Sequence, residues 1–219
     1  MSLFETLLDV QSLTSEPVRV HGVVVGVVTN NQDPDSLGRV KVKFPWLREP
    51  QGGVAESDWA RVASPMAGKG RGLGLTPEVD DEVLVAFEHG DVRFPYVLGA
   101  LWNGKDAPPA SNSDGKNNLR VIKSRSGHVI KLNDEAGKES IEIVDHTGKN
   151  CLVIDAAKNT LTITAEKDIV LSATQGTIKL NAQKIELTSS ADSKIEAGAG
   201  MDVKASATLN IKGTTVNIN

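Results

Sequence analysis

A single cysteine, Cys151, stands among 219 residues, which excludes an intrachain disulfide framework and a thiolate metal cluster within one chain. A lone thiol of this kind reads as a small buried side chain. Long apolar runs are also missing. The longest aliphatic stretch, Val23-Val24-Val25-Gly26-Val27-Val28, falls far short of the roughly 18 apolar residues a membrane span needs, and reads as a buried strand. Met1 to Gln11 contains no basic residue and carries Glu5 and Asp9, so it lacks the form of a secretory signal. Net positive charge is lacking too: a formal charge of -4 argues against a nucleic-acid binder, whose footprint is a basic patch on a basic domain. What is present, 39% hydrophobic and 24% charged residues, is the composition of a folded domain rather than of a disordered chain.

The most informative absence is positional. All nine prolines and all eight aromatic residues lie before position 110, and none lies after it. Charge divides at the same place: residues 1–110 hold 10 Lys/Arg and 15 Asp/Glu, residues 111–219 hold 14 and 13. Two architectures are joined here. The junction Lys105-Asp106-Ala107-Pro108-Pro109-Ala110-Ser111-Asn112-Ser113-Asp114-Gly115 has linker chemistry, since Pro, Asn, Asp and Gly favour extended or turned backbone. The division that follows is a segment at 1–18, a barrel domain at 19–104, a linker at 105–118 and a repetitive region at 119–219.

In residues 1–18, Leu3, Phe4, Leu7 and Leu8 recur at helical spacing. So short a helix is marginal alone and needs a surface to dock on, its own barrel or another protein. From Val18 to Trp102 the pattern is one short strand after another: Val18–Val28, Arg39–Phe44, Trp59–Ala63, Glu82–Phe87 and Tyr96–Leu101. Alternation with period two is clean in Val40-Lys41-Val42-Lys43-Phe44 and Val83-Leu84-Val85-Ala86-Phe87. Five strands with turn signals between them suit a small closed barrel, which also removes exposed sheet edges.

The second half repeats. Apolar residues two apart recur as Ile141/Ile143, Leu152/Ile154, Leu161/Ile163, Ile169/Leu171, Ile178/Leu180 and Ile185/Leu187, then Ile195, then Met201/Val203, Leu209/Ile211 and Val216/Ile218. The later pairs return about every eight residues. Residues two apart share one face of a strand, so each unit is a strand plus a turn with one apolar face that needs stacking neighbours to bury it. Eight residues are too few for a closed single-chain coil. They suffice to cross one face of a triangular prism, so the spacing predicts three chains wound together, with Ile163, Leu171, Leu180, Leu187, Ile195, Val203, Ile211 and Ile218 in a shared core. At about 4.8 Å between strands, ten steps give a shaft on the order of 50 Å. Proline would remove ladder hydrogen bonds and bulky aromatics would crowd so narrow an interior.

Asp33-Pro34-Asp35-Ser36-Leu37-Gly38-Arg39-Val40-Lys41-Val42-Lys43-Phe44-Pro45-Trp46 resembles the VgrG and phage baseplate assembly protein V family, the central spikes of type VI secretion systems and contractile tails. Trp59-Ala60-Arg61-Val62-Ala63-Ser64-Pro65, Gly70-Arg71-Gly72, Gly90-Asp91-Val92-Arg93-Phe94-Pro95 and Gly99-Ala100-Leu101-Trp102-Asn103-Gly104 are similar to the same family's barrel in the same order. Arg125-Ser126-Gly127-His128 and Gly137-Lys138-Glu139-Ser140-Ile141-Glu142-Ile143 resemble its barrel-to-shaft transition. The resemblance covers about residues 20–160. It implies an all-β fold, a five-stranded OB-fold barrel continuing into an intertwined triple-stranded β-helix made by a homotrimer, with a structural piercing role and no catalytic site.

Departures from the family pattern shape the expected partners. Only about eighteen residues precede the barrel, where full-length VgrG proteins carry a large hub. The resemblance therefore implies a separate hub protein, docked through Leu3, Phe4, Leu7 and Leu8, and tilts the expected machine toward phage-like particles assembled in the cytoplasm and acting at the target cell envelope. Some phage spikes end in a His-x-His pair that holds an apical metal, whereas this chain ends Thr214-Thr215-Val216-Asn217-Ile218-Asn219, so neither a metal nor any cofactor is expected. A blunt prism end exposes apolar positions and unpaired strand groups; the family covers it with a PAAR-repeat tip protein, expected here on Val216, Ile218 and Asn219.

Catalytic signatures are weak throughout. His21, His89, His128 and His146 are dispersed, without the helix-borne pair of a metal site. Asp80-Asp81-Glu82 and Glu88-His89 border the strand Val83–Phe87 and read as solvated strand ends. Gly68-Lys69-Gly70-Arg71-Gly72 lacks the Ser or Thr of a phosphate loop after Lys69 and reads as a flexible barrel loop. Two other functions compete for these residues. Small barrels bind single-stranded nucleic acid through aromatics set among basic residues, but alternation puts Phe44, Trp46 and Trp59 inside, opposite Lys41, Lys43 and Arg61. β-Helical tailspikes cleave polysaccharides with paired carboxylates, but Glu186, Glu196 and Asp202 alternate with lysines on a convex surface.

Overall fold

The computed structural model describes residues 19–48 and 53–217. The chain divides into two units, residues 1–167 and 168–219. The first is built from thirteen strands and one short 3-10 turn, Glu88–Gly90, and contains no α-helix among the described residues. The expected segment at 1–18, with Leu3, Phe4, Leu7 and Leu8, lies outside the described residues, as do Ile218 and Asn219.

The barrel is formed by β1 (Val23–Asn30), β2 (Lys41–Arg48), β3 (Val54–Glu56), β4 (Arg61–Val62), β7 (Glu82–Phe87) and β8 (Pro95–Ala100) in the order β3-β2-β1-β7-β8-β4. All of these pairings are antiparallel except β4 with β8, which is parallel. Closure comes from Val40 and Ala60, which exchange both backbone hydrogen bonds at 3.0 and 2.8 Å and so join the start of β2 to the stretch leading into β4. The edge strands β3 and β4 that remain are only three and two residues long, which limits unintended pairing. The period-two pattern determines what lies inside: Val28, Val40, Val42, Phe44, Val83, Val85 and Val97 are fully buried, and Ala55, Ala60, Phe87 and Val92 complete the core.

Several expectations at this end are corrected. The third strand begins at Val54, earlier than Trp59, and is broken into two short pieces. The aliphatic run at 23–28 is not buried on both sides: Val28 is, whereas Val23 and Val25 face outward and are exposed. The segment Gly68-Lys69-Gly70-Arg71-Gly72 belongs to a small hairpin, β5 (Ala67–Gly68) and β6 (Arg71–Gly72), turned by Gly70 at φ +65°. Of the three aromatics expected inside, only Phe44 is. Trp46 is half exposed, with its indole N–H donating to the Val25 carbonyl at 3.0 Å. Trp59 lies on the outer surface with Lys41 Nζ 5.8 Å and the Arg39 guanidinium 6.0 Å from its ring centroid. Alternation cannot carry through Pro45 or across the break after β3, and both tryptophans lie beyond those interruptions.

After the barrel a five-stranded antiparallel meander follows: β9 (Leu119–Lys123), β10 (Val129–Asn133), β11 (Ser140–Val144), β12 (Cys151–Asp155) and β13 (Thr160–Thr164), adjacent in chain order. The pairs Ile141/Ile143, Leu152/Ile154 and Leu161/Ile163, expected as the first steps of an intertwined shaft, therefore lie in a sheet that one chain makes alone. The cause is turn chemistry. Each of the four reversals contains a residue with positive φ: Gly127 (+100°), Gly137 (+79°), Gly148 (+74°) and Asn159 (+55°), the left-handed conformation that tight turns require and that Gly and Asn adopt at low cost. Within residues 168–217 no strand forms in the single chain.

Candidate assembly interface

Registers across the meander align its apolar residues into two rows. One runs Ile122–Ile130–Ile143–Leu152–Ile163 and the other Arg120–Leu132–Ile141–Ile154–Leu161, each step a directly opposed pair. The residues of both rows share one face, because they lie two apart along every strand. That face has nothing over it in the single chain: its Ile and Leu side chains other than the half-buried Leu152 remain between 39% and 63% exposed. The opposite face is more polar. Its central row is Val121–Lys131–Glu142–Val153–Thr162, in which Lys131 and Glu142 form an ion pair at 2.7 Å.

Nine aliphatic side chains aligned on one sheet face form a surface that soluble monomers seldom expose. Full burial of one such side chain is worth roughly 1.5–3 kcal/mol. Half of that, about 1 kcal/mol each, is still unrealised in the lone chain. The same holds further along. Of the expected core positions, Ile163, Leu171, Leu180, Leu187, Ile195, Val203 and Ile211 are all exposed, from 53% at Ile163 to 81% at Leu187, and Val216 is 48% exposed. The single chain brings none of them to a buried position.

The hairpins that hold the face in place are fixed by short polar networks. Between β11 and β12, Asp145 accepts the Thr147 hydroxyl at 2.8 Å and the Asn150 side-chain amide at 2.9 Å. Chiefly through the Asn150 bond, its carboxyl is held down to about 2. Lys158 caps the last reversal by donating to Asp155 at 2.8 Å, which lowers the Asp155 carboxyl in turn. His128 and His146, eighteen residues apart in sequence, meet at two hairpin ends: the ring centroids are 5.2 Å apart and the His146 backbone N–H donates to His128 Nδ1 at 3.2 Å. Spacing alone could not show this contact. No group of three or more His, Cys, Asp or Glu suited to a metal ion occurs among the described residues. No helix among them is long and apolar enough to cross a membrane.

On the barrel, the segment Asp33–Arg39 owes its residue types to one carboxylate. The Asp33 side chain, 3% exposed, accepts the backbone N–H groups of Asp35, Leu37 and Arg39 and both the Nε and an Nη of the Arg39 guanidinium, at 2.6 to 3.2 Å. The guanidinium bond above all, helped by these amides, pushes the Asp33 carboxyl well below the usual carboxylate range, and Arg39 is raised in return. Asp91 and Arg93 repeat the device before β8, with Asp91 lowered to about 2. These motif residues hold loops. Asp80 and Asp81 likewise brace β1, exchanging backbone hydrogen bonds with Val28 at 2.9 Å, and Glu88 accepts the Tyr96 hydroxyl at 2.6 Å.

Residues 24–102, which span the barrel, match the family described as the type VI secretion system/phage-baseplate injector OB domain. The barrel is of that injector OB-domain type. Among curated relatives, the chain is 34% identical over 140 residues to the type VI secretion system spike protein VgrG1b of Pseudomonas aeruginosa, covering 63% of this chain and 18% of that protein. It is 38% identical over 134 residues to VgrG4b of the same species, 56% of this chain and 16% of that protein. With the spike protein VgrG3 of Vibrio cholerae it shares 30% identity over 131 residues, 56% and 13%. The chain thus spans less than a fifth of the length of each of these three.

Proposed function

We propose that the protein is a structural, non-catalytic central spike of a contractile injection system or phage-like tail: a homotrimer in which the meander faces of three copies close on one another and residues 168–219 wind into a triple-stranded β-helix. The observation that carries this is the pair of exposed aliphatic rows on β9–β13. A face so regular in register and so bare of cover is a surface for assembly, and the spike-protein relatives supply the machine. The octad spacing supports the same conclusion, since strands of this length close a prism only when three chains share it.

In this reading the barrel end faces the tube and its hub, with Leu3, Phe4, Leu7 and Leu8 as the docking residues. The far end, at Val216, Ile218 and Asn219, receives a PAAR-repeat tip protein, and sheath contraction drives the assembly through a target envelope. Stiffness is the property the role demands, and burial of the rows supplies it. Sedimentation of the full chain at micromolar concentration tests the proposal: a trimer that persists in SDS without boiling is expected, and a monomer would overturn it. Co-purification with PAAR-repeat and hub proteins, lost in Val216→Asp and Leu7→Asp variants respectively, tests the two ends.

A further inference from the structure

Two reversals of the meander meet beyond the end of their ladder. β10 and β11 pair as far as Val129 and Val144, and the turns next to that pair, Gly127-His128 and Asp145-His146, stay in contact. The imidazole rings stand edge to face, with centroids 5.2 Å apart and planes at 75°. A β-carbon on Gly127 would lie only 3.7 Å from that of His146. The hydrogen bond across the gap runs from the His146 backbone N–H to His128 Nδ1 at 3.2 Å. His128 itself is anchored: its own N–H donates to Ser124 Oγ at 3.0 Å, and its carbonyl accepts the Ser124 N–H at 2.9 Å.

A backbone amide can only donate, so this bond requires a lone pair on Nδ1. Neutral imidazole offers one, with its proton on Nε2, whereas imidazolium carries a proton on both nitrogens and offers none. Two N–H groups would then face each other, and a charged His146 ring alongside would add like-charge repulsion. Histidine is also the side chain that ordinarily changes charge near neutral pH. The other titratable groups around the pair are Lys123 and Arg125 on the first turn, Asp145, Lys149 and Cys151 on or beside the second, Glu166 beyond β13 and Glu78 of the barrel. Arg125 is turned to Glu78 and Lys149 to Glu166. Asp145, held down to about 2 chiefly by the Asn150 bond, stays ionised near neutrality, and its carboxylate answers a charge on His146. His128 is left as the ring that cannot take a proton without losing its bond.

We infer that His128 is a proton-sensitive latch: neutral, it ties the two reversals together, and protonated, it releases them. Closing the latch expels a proton, so the contact is complete at neutral and alkaline pH and is lost as the medium turns acid. His128 lines one open cavity with Ile122, Ile130, Ile143, Leu152 and Cys151, so release loosens the apolar face at the end that Arg125 joins to the barrel. The latch lies within one chain and does not depend on the trimeric reading. On that reading it makes closure of the face weaker in acid.

The test is hydrogen exchange of the full chain at pH about 7.5 and about 5.5, on either side of the ordinary histidine value of about 6.5, with each rate expressed as a protection factor so that the intrinsic pH dependence of exchange drops out. A free histidine is protonated about tenfold over neutral one pH unit below that value, so the His146 amide should lose about tenfold in protection at the acid pH. The amide of Glu142, in the middle of the same strand, should lose little. In His128→Asn, which keeps an acceptor oxygen but takes no proton, the loss should vanish. His146→Asn, whose backbone donor is unchanged, should retain it. Equal protection of the parent at both pH values, or the same acid loss in His128→Asn, would overturn the inference. If His128→Asn does not fold, the parent and His146→Asn decide: an acid loss that disappears in His146→Asn belongs to the other ring and overturns it as well. These outcomes read alike in a monomer or a trimer, so failure of the latch leaves the spike reading untouched.

Discussion

Gly26 on β1 approaches Val42 on β2 so closely that a β-carbon at Gly26 would lie 2.3 Å from Val42 Cγ1, with the Lys43 carbonyl oxygen at 3.2 Å. Val42 is fully buried, so it cannot swing away at low cost. Gly26→Ala is expected to destabilise the barrel by about 1–3 kcal/mol, the usual range for overpacking a core. In urea melts followed by tryptophan fluorescence, adding Val42→Ala should recover part of that loss, because the two sites share one space.

The Asp33 carboxylate should set an acid limit on the barrel. Its folded value is depressed by Arg39, so its stabilising contribution is complete above the unfolded carboxylate value of about 3.9 and is lost as pH falls from there through the folded value. The melting temperature of the barrel should fall more steeply below pH about 4 in the parent protein than in Asp33→Asn, which should start lower and vary less. Equal acid slopes would contradict the assignment.

A charge on the assembly face should be far more damaging than one removed from the reverse side. Ile143 lies in the middle of its row, and Ile143→Asp would place three carboxylates in the closed interior of the proposed trimer, a burial that costs several kcal/mol per ion. Sedimentation should show loss of the trimer. Glu142→Gln, one residue away on the polar face, removes only the Lys131 ion pair and should leave the trimer in place.

Arg125 reaches Glu78 at 2.8 Å, from the first hairpin of the meander to the loop before β7. With the arginine side chain 83% exposed, solvent screens the pair, and contacts of this type are worth about 0–1 kcal/mol. Thermal melts of Arg125→Ala should accordingly shift by no more than a few degrees.

Trp59 with Arg39 and Lys41 imitates a base-stacking platform, now that the tryptophan is known to face outward. Yet Arg39 is held by Asp33 and Asp35, and Lys41 by Glu56 at 3.2 Å. With their charges answered locally, a salt-dependent shift of a labelled single-stranded oligonucleotide is not expected. Binding that weakens with salt and is lost in Trp59→Ala would establish a second activity.

The barrel was legible from sequence wherever strict alternation reported burial directly. Val40, Val42 and Phe44 on one strand and Val83, Val85 and Phe87 on another all face the core. It failed at Trp46 and Trp59, past a proline and a strand break, where alternation loses its phase. In the second half Ile141/Ile143, Leu152/Ile154 and Leu161/Ile163 share a face as their spacing predicts, but apolar spacing carries no information on whether the next strand belongs to the same chain. For the meander that information lies in the turns, in Gly127, Gly137, Gly148 and Asn159. The meeting of His128 with His146 was beyond reach, because it depends on which hairpin ends lie side by side. The clamp around Asp33 showed only as a recurring motif, and its many amide donors required the folded loop.

The bare rows of the meander also bear on how the protein comes into being. On the trimeric reading proposed above, a chain released alone carries an adhesive sheet whose right partners are two identical molecules and whose wrong partners are whatever else is near, including other unfinished chains. Productive closure needs three copies to meet before that happens, so the fraction rescued depends on how many are made in one place at one time. Ribosomes spaced along a single message would deliver them in that way, and for a spike so built the crowding of its own synthesis would become part of the folding pathway.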